Sequence, residues 1–290
     1  MSIVLSDPPG PRGRRRILIA SVVAVAAVAA LVVLAVLRLS DKGQLDGEVW
    51  SVFFDEPDLR TLLWEGLLDT LRAAATGMVL AVAVGTTLAF ARQSDRRLVS
   101  VPAAAVVEML RGLPLLMLIF FAYLGLPQLG VNLSAFWALV IGLTAYNGAV
   151  LSEIFRAGIQ SIDKGQTEAA AALGLRGTQI FTLIQFPQAV RRMSPTLVSQ
   201  LVTLLKDTSL GFVIGYTELL RQGRSAVEFL GGRYALPVYT VLAVMYIIVN
   251  LSLSLTARWL ERRQAHRLGS SAPILLDAAD AAGPVAASRS

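Results

Sequence analysis

The sequence predicts an all-α integral membrane protein, on three observations. Hydrophobic residues make up 55% of its 290 residues and charged residues only 16%, with a mean hydropathy of +0.63, far from the balance of soluble domains. Six apolar stretches are long enough to cross a hydrocarbon core of about 30 Å at about 1.5 Å per helical residue. Arginine and lysine also collect on alternate connections between these stretches, as expected when short cytoplasmic loops retain positive charge.

The predicted spans are 17–37, 63–91, 102–126, 135–157, 197–216 and 236–260. The third and fifth contain Arg111 and Lys206, costly residues unless they face a polar cavity or a partner. Ahead of the first span, residues 1–16 form a basic leader with Arg12, Arg14, Arg15 and Arg16. The apolar run exceeds the ~7–15 residues of a signal-peptide core, so it reads as an uncleaved anchor. Residues 38–61 form an outer connector whose Trp50, Phe53 and Phe54 suit the membrane interface. Residues 264–290 read as a disordered tail, rich in Ala, Ser, Pro and Asp without periodicity.

One orientation fits the charges. With both termini cytoplasmic, Arg92, Arg96, Arg97, Arg156, Lys164, Arg176, Arg191, Arg192, Arg258, Arg262, Arg263 and Arg267 fall inside. The net charge of +6 then reports topology and attraction to anionic membrane lipid. No basic face is interleaved with stacking aromatics, which argues against nucleic acid as a partner. Cysteine is absent and His266 is the single histidine, so thiolate or histidine catalysis and cysteine-ligated metal are not expected. A phosphate-binding loop needs Gly-Lys followed by Ser or Thr. The three lysines, Lys42, Lys164 and Lys206, are followed by Gly43, Gly165 and Asp207, so no ATP site of that kind, catalytic residue or resident cofactor is expected.

The cytoplasmic loop 162–192 carries the most information. Ala169, Ala172 and Leu173 recur at helical spacing and form a narrow apolar stripe. Glu168 is expected near the helix start, Gly174 ends that helix, Thr178 is expected to cap a second, and Pro187 to end it. Two short helices at an angle make a lever that a partner's groove can grip. The competing reading is an interfacial hairpin with no partner.

Within the spans, Glu108, Arg111, Glu153 and Lys206 are candidates for a transport path because each charge needs a polar setting. Ser199, Thr203 and Lys206 share one helix face, with Lys206 ~14 Å from residue 197 and so near the midplane. Asp207 lies about 100° around the helix from Lys206 and is a poor partner. Glu108, Glu153 or a substrate carboxylate is expected to meet the lysine, and an ion pair that only fixes packing remains the alternative. Tyr146 shares a face with Glu153, and Gly77, Gly85, Gly142 and Gly148 read as close-packing positions.

The run Gln166-Thr167-Glu168-Ala169-Ala170-Ala171-Ala172-Leu173-Gly174, followed by Phe186-Pro187-Gln188, resembles the EAA loop of ABC importer permeases. Arg111-Gly112-Leu113-Pro114, Ala145-Tyr146-Asn147-Gly148, Glu153-Ile154-Phe155-Arg156-Ala157-Gly158 and Lys206-Asp207-Thr208-Ser209-Leu210 narrow the resemblance. In this order they are similar to the polar amino-acid permeases for histidine, glutamine and glutamate, with the longer actinobacterial glutamate permeases closest in general likeness. The resemblance implies a type I ABC transmembrane domain over 62–263, a five-helix core behind the N-terminal anchor. It implies two ABC ATPase subunits, a second permease subunit (identical or not), an extracytoplasmic solute-binding protein and a polar amino-acid substrate, glutamate foremost, in a bacterial plasma membrane. By this likeness Glu168, Ala169, Ala172, Gly174 and Pro187 are assigned to ATPase contact. Glu108, Arg111, Tyr146, Glu153, Thr203, Lys206, Asp207 and Thr208 are assigned to the substrate path. An ion-coupled secondary transporter and a membrane scaffold are the rival readings.

Overall fold

A computed structural model describes residues 10–269. Five helices within that range are long and apolar enough to cross a membrane, and a sixth is reached when a bent helix pair is counted as one span and not as a re-entrant loop. The first, α1 (Pro11–Asp41), has no buried residue. Its helix begins inside the stretch expected as a basic leader, because Pro11 suits a first helical turn; residues 1–9 lie outside the described range. The connector is helical: α2 (Gly47–Trp50) and α3 (Val52–Asp55) turn Val52 into a cluster with Leu59, Leu63, Leu219 and Leu242. Phe54 stays 79% exposed.

The bundle is built on α4 (Pro57–Arg92) and α7 (Ala135–Gln160). α4 starts ahead of residue 62, at a proline in its first turn. The two helices approach closely through small residues: a Cβ on Gly85 would lie 2.8 Å from Leu151 Cβ, and one on Gly148 2.9 Å from Val84 Cγ1. At Gly77 the first contact would be an ordinary 3.5 Å to Leu143, so that glycine is not required by packing.

The expected continuous third span is broken. α5 (Arg97–Gly112) stops at Leu113, whose backbone is extended (φ −92°, ψ 138°), and α6 (Leu115–Phe120) follows Pro114. The chain bends by 103° there, counting the π turn Phe121–Gly125 and the 3₁₀ turn Leu126–Leu129 with α6. The cause is local: proline disfavours α geometry in the residue before it. α6 then rests on α7 at Gly142, where a Cβ would come within 2.5 Å of Ile119 Cγ1.

After α7 come α8 (Lys164–Ala172), α9 (Gly177–Gln179), a π segment Ile180–Gln185 and α10 (Phe186–Arg192). The fifth span is α11 (Ser194–Asp207) continued as a 3₁₀ helix over Thr208–Ile214. It ends at Gly215 in the left-handed conformation, short of residue 216. Glu218, fully buried, caps α12 (Leu219–Leu230): its carboxylate accepts from the Leu220 and Arg221 amides and the Tyr246 hydroxyl. The last helix, α13 (Ala235–Gly269), runs six residues into the stretch expected as a tail from 264, and the remainder of that tail lies outside the described residues.

Candidate functional site

The loop after α7 is a braced projection. Asp163 caps α8, accepting from the Gly165 amide at 2.7 Å. Glu168 therefore sits in the second turn and not at the start, and it is exposed. Ala169, Ala172 and Leu173 are exposed as well, Leu173 at 82%. Gly174 ends α8 with φ +78°. The Gly174 amide donates to Ala171 O at 2.9 Å and the Leu175 amide to Ala170 O at 3.2 Å, the paired bonds of a left-handed helix stop.

The expected capping role of Thr178 falls to its neighbours. Thr178 is inside α9, and the Arg176 amide donates to the Gln179 side chain at 2.9 Å. Nor does Pro187 end a helix. It occupies the first turn of α10 directly after the π segment, a place where a missing amide hydrogen costs little.

Aromatic rings hold this projection to the bundle. Phe181 of the loop meets Phe90 of α4 at 5.0 Å and Phe186 at 5.8 Å, and Phe186 meets Phe155 of α7 at 5.3 Å. Gln185 Nε2 donates to Thr167 Oγ1 at 3.2 Å, tying α8 to the π segment, and Arg192 closes the base by donating to Ser161 O. The buried side of the loop is thus fixed while its alanine and leucine side is left open.

A second feature gathers charges from three helices. Glu153 of α7, 16% exposed, is bonded by Arg92 of α4 and by Arg156 Nε and Nη2 at 3.0 and 2.8 Å, with Arg111 at 3.6 Å. Arg92, only 12% exposed, also faces Glu108 at 4.0 Å, and Arg111 faces Glu108 at 3.6 Å. Three arginines and two glutamates leave one net positive charge, at the end of the broken α5. Arg111 is tolerated because it ends a helix beside acids, and not in mid-span as expected. Beside the cluster, Arg111, Tyr146, Glu153, Met193 and Thr196 help to line a cavity of about 440 Å³.

Lys206 stands apart from this cluster. The expected pairing with Glu108 or Glu153 is not formed, because arginines already occupy both carboxylates. Among the described residues the lysine has no ion pair. It lines a groove between α11 and α13 together with Thr203 and Ser199. Thr208 is fully buried, its hydroxyl donating to Leu205 O at 2.7 Å, so it supports the junction where α11 changes to 3₁₀ geometry. Asp207 occupies the same junction, partly buried. Sequence reasoning missed Arg92, which reads as an ordinary cytoplasmic arginine; its signal was its place at the very end of an apolar helix.

A multi-pass helical bundle with a sharply bent helix pair, a half-buried charge cluster and a braced basic loop has the architecture of a membrane permease. A family model described as the binding-protein-dependent transport system inner membrane component matches residues 77–266, and the chain belongs to that family. It is similar to the glutamate transport system permease protein of Corynebacterium glutamicum, 41% identical over 228 residues, covering 78% of this chain and 83% of the relative. It is 37% identical over 205 residues to the glutamine transport system permease protein of Escherichia coli K12, covering 70% of this chain and 92% of that protein. Among solved structures, an amino acid ABC transporter determined with histidines matches with a TM-score of 0.66 and 32% identity, over 73% of this chain and 98% of that one.

Proposed function

We propose that this chain is the permease subunit of an ATP-driven importer of a polar amino acid, glutamate foremost. It forms the translocation path and leaves ATP hydrolysis to a separate subunit. The observation that carries this reading is the loop 162–192, clamped to α4 and α7 by Phe181 and Phe186 yet exposing Glu168, Ala169, Ala172 and Leu173. A rigid projection with an open apolar edge suits a protein groove. Small side chains let the two backbones come close.

In this reading two ATPase subunits seat the loops of two permease subunits, the second being another copy or a sister chain. A solute-binding protein delivers substrate on the outer side, and both termini are cytoplasmic. Closure of the ATPases moves the loops, and the permease halves rock between inward-facing and outward-facing states. Arg111, Tyr146, Glu153, Thr203, Lys206 and their neighbours Glu108 and Asp207 border the path, and the buried Thr208, expected to line it, supports the helix junction behind them. Nothing covalent happens to the substrate.

The test is reconstitution of the chain with its ATPase and binding protein in proteoliposomes. Uptake of glutamate or glutamine that requires internal or external ATP at the ATPase face, and that is lost when an ATPase glutamate is removed, is the expected result. Uptake driven by an ion gradient without the ATPase would replace this reading with secondary transport. A complex that assembles but never transports would replace it with a scaffold.

A further inference from the structure

Two cations share the groove between α11 and α13. Lys206, in the last turn of α11, and Arg258, near the inner end of α13, both line its two lobes of about 590 and 500 Å³. The other polar residues described in its walls are uncharged: Ser199, Thr203, Ser209, Tyr246, Asn250 and Ser254. Among the described residues no aspartate or glutamate lines either lobe. Arg258 Nε donates to Ser254 O at 3.2 Å, and neither cation has an ion pair among the described residues. The contrast with the other cluster is chemical, since Arg92, Arg111 and Arg156 there are matched by Glu108 and Glu153.

Charged groups that are held in a membrane protein without a protein counter-ion face water or a ligand. We propose that Lys206 and Arg258 together select the side-chain carboxylate of an acidic amino acid, with Arg258 as the residue that separates glutamate from glutamine. The proposal rests on the permease reading above. Glutamate brings two carboxylates and a net negative charge, whereas glutamine brings one carboxylate and none. A groove whose described lining holds two cations and no acid favours the first. Lys206 supplies a compact charge, and the Arg258 fork supplies two parallel N–H donors matched to a carboxylate.

The experiment uses the complete complex of permease, ATPase and binding protein in vesicles, with ATP-driven uptake of labelled glutamate and labelled glutamine measured in each variant and normalised to folded protein. Arg258→Gln is expected to lower the glutamate-to-glutamine ratio by about tenfold, the scale of one charge-assisted contact, and Arg258→Lys to lower it less. Ser254→Asp, which adds an acid to the groove without removing either cation, is expected to move the ratio the same way and covers the case in which Arg258→Gln fails to fold. A ratio that is unchanged, or two uptakes that fall together, overturns the proposal. So does a ratio that follows the phosphatidylglycerol content of the vesicles instead of the variant, because the cations then hold a lipid phosphate. Absence of ATP-driven uptake of either amino acid by the wild-type complex would instead sink the permease reading itself, before any variant is compared.

Discussion

Gly174 offers the cleanest test of the coupling loop, because its surroundings are empty. A Cβ placed there meets nothing within 4 Å, yet its φ is +78°. Any loss on substitution is therefore backbone strain and not a clash. The left-handed region costs an L-residue roughly 1–2 kcal/mol, more for a β-branched side chain and least for asparagine. A penalty of about 1.4 kcal/mol is tenfold in population, so Gly174→Val should reduce the fraction of loops in the docking conformation by about ten- to thirtyfold. Affinity for a partner falls by that same fraction. The bundle should be little affected, since Gly174 and Leu173 are exposed and Leu175 is only partly covered. The expected order of ATPase binding is glycine, then Gly174→Asn, then Gly174→Ala, then Gly174→Val, read by titrating purified ATPase against each variant in nanodiscs alongside a melting curve. A valine variant that binds as tightly as the asparagine variant would refute the argument, as would a drop in melting temperature that matches the loss of binding.

Three further outcomes follow from the packing and the charges. Glu153→Gln leaves the half-buried Arg92 without its main acid, which should cost about 2–3 kcal/mol, less than the ~3–5 kcal/mol of a fully buried pair; Glu108→Gln, at a carboxylate 65% exposed, should cost no more than about 1 kcal/mol, and equal melting temperatures for the two would contradict the cluster's role. Gly142→Ala drives a methyl to 2.5 Å from Ile119 and should destabilise by about 1–3 kcal/mol, while Gly77→Ala, with its first contact at 3.5 Å, should be near neutral; thermal unfolding in detergent distinguishes them. Lys206→Met should abolish uptake while leaving insertion intact, since it removes a charge that has no counter-ion among the described residues; restoration of uptake by adding Asp207→Asn would show the lysine to be half of an ion pair instead.

Hydropathy and charge made the spans legible because a bilayer imposes one length and one composition on every crossing helix. The break in the third span was hidden by the same property. Residues 102–126 are apolar on both sides of Leu113-Pro114, and only the rule for the residue before proline marks the bend. In the loop, Gly174 was legible from local chemistry alone. Thr178 and Pro187 were misplaced because a π segment, which leaves no periodic trace in composition, carries the chain from α9 straight into α10. Partners were least legible of all. Nothing in the sequence says that Arg92, sixty-one residues from Glu153, reaches that carboxylate first and leaves Lys206 on another face of the bundle.

That arrangement makes α7 the element shared by both halves of the proposed function. Glu153 and Tyr146 of α7 border the cavity with Arg111. The helix then runs without a break to Gln160, three residues before Asp163 caps α8. From Glu153 to Gln160 is seven residues, about 10 Å of rigid helix. Its C-terminal end is also gripped sideways, because a Cβ on Gly158 would come within 2.7 Å of Met193 and 3.1 Å of Ala189, and Phe155 touches Phe186 of α10. A partner that displaces α8 therefore cannot bend the loop away at its root without opening this close packing. The displacement is carried by α7 to Glu153, where Arg92 and Arg111 attach it to the ends of α4 and of the broken α5. Interfaces that are packed closely shift between discrete arrangements more readily than they deform. Placing the ion pairs at the near end of that lever puts the groups most sensitive to a small shift where a small shift arrives.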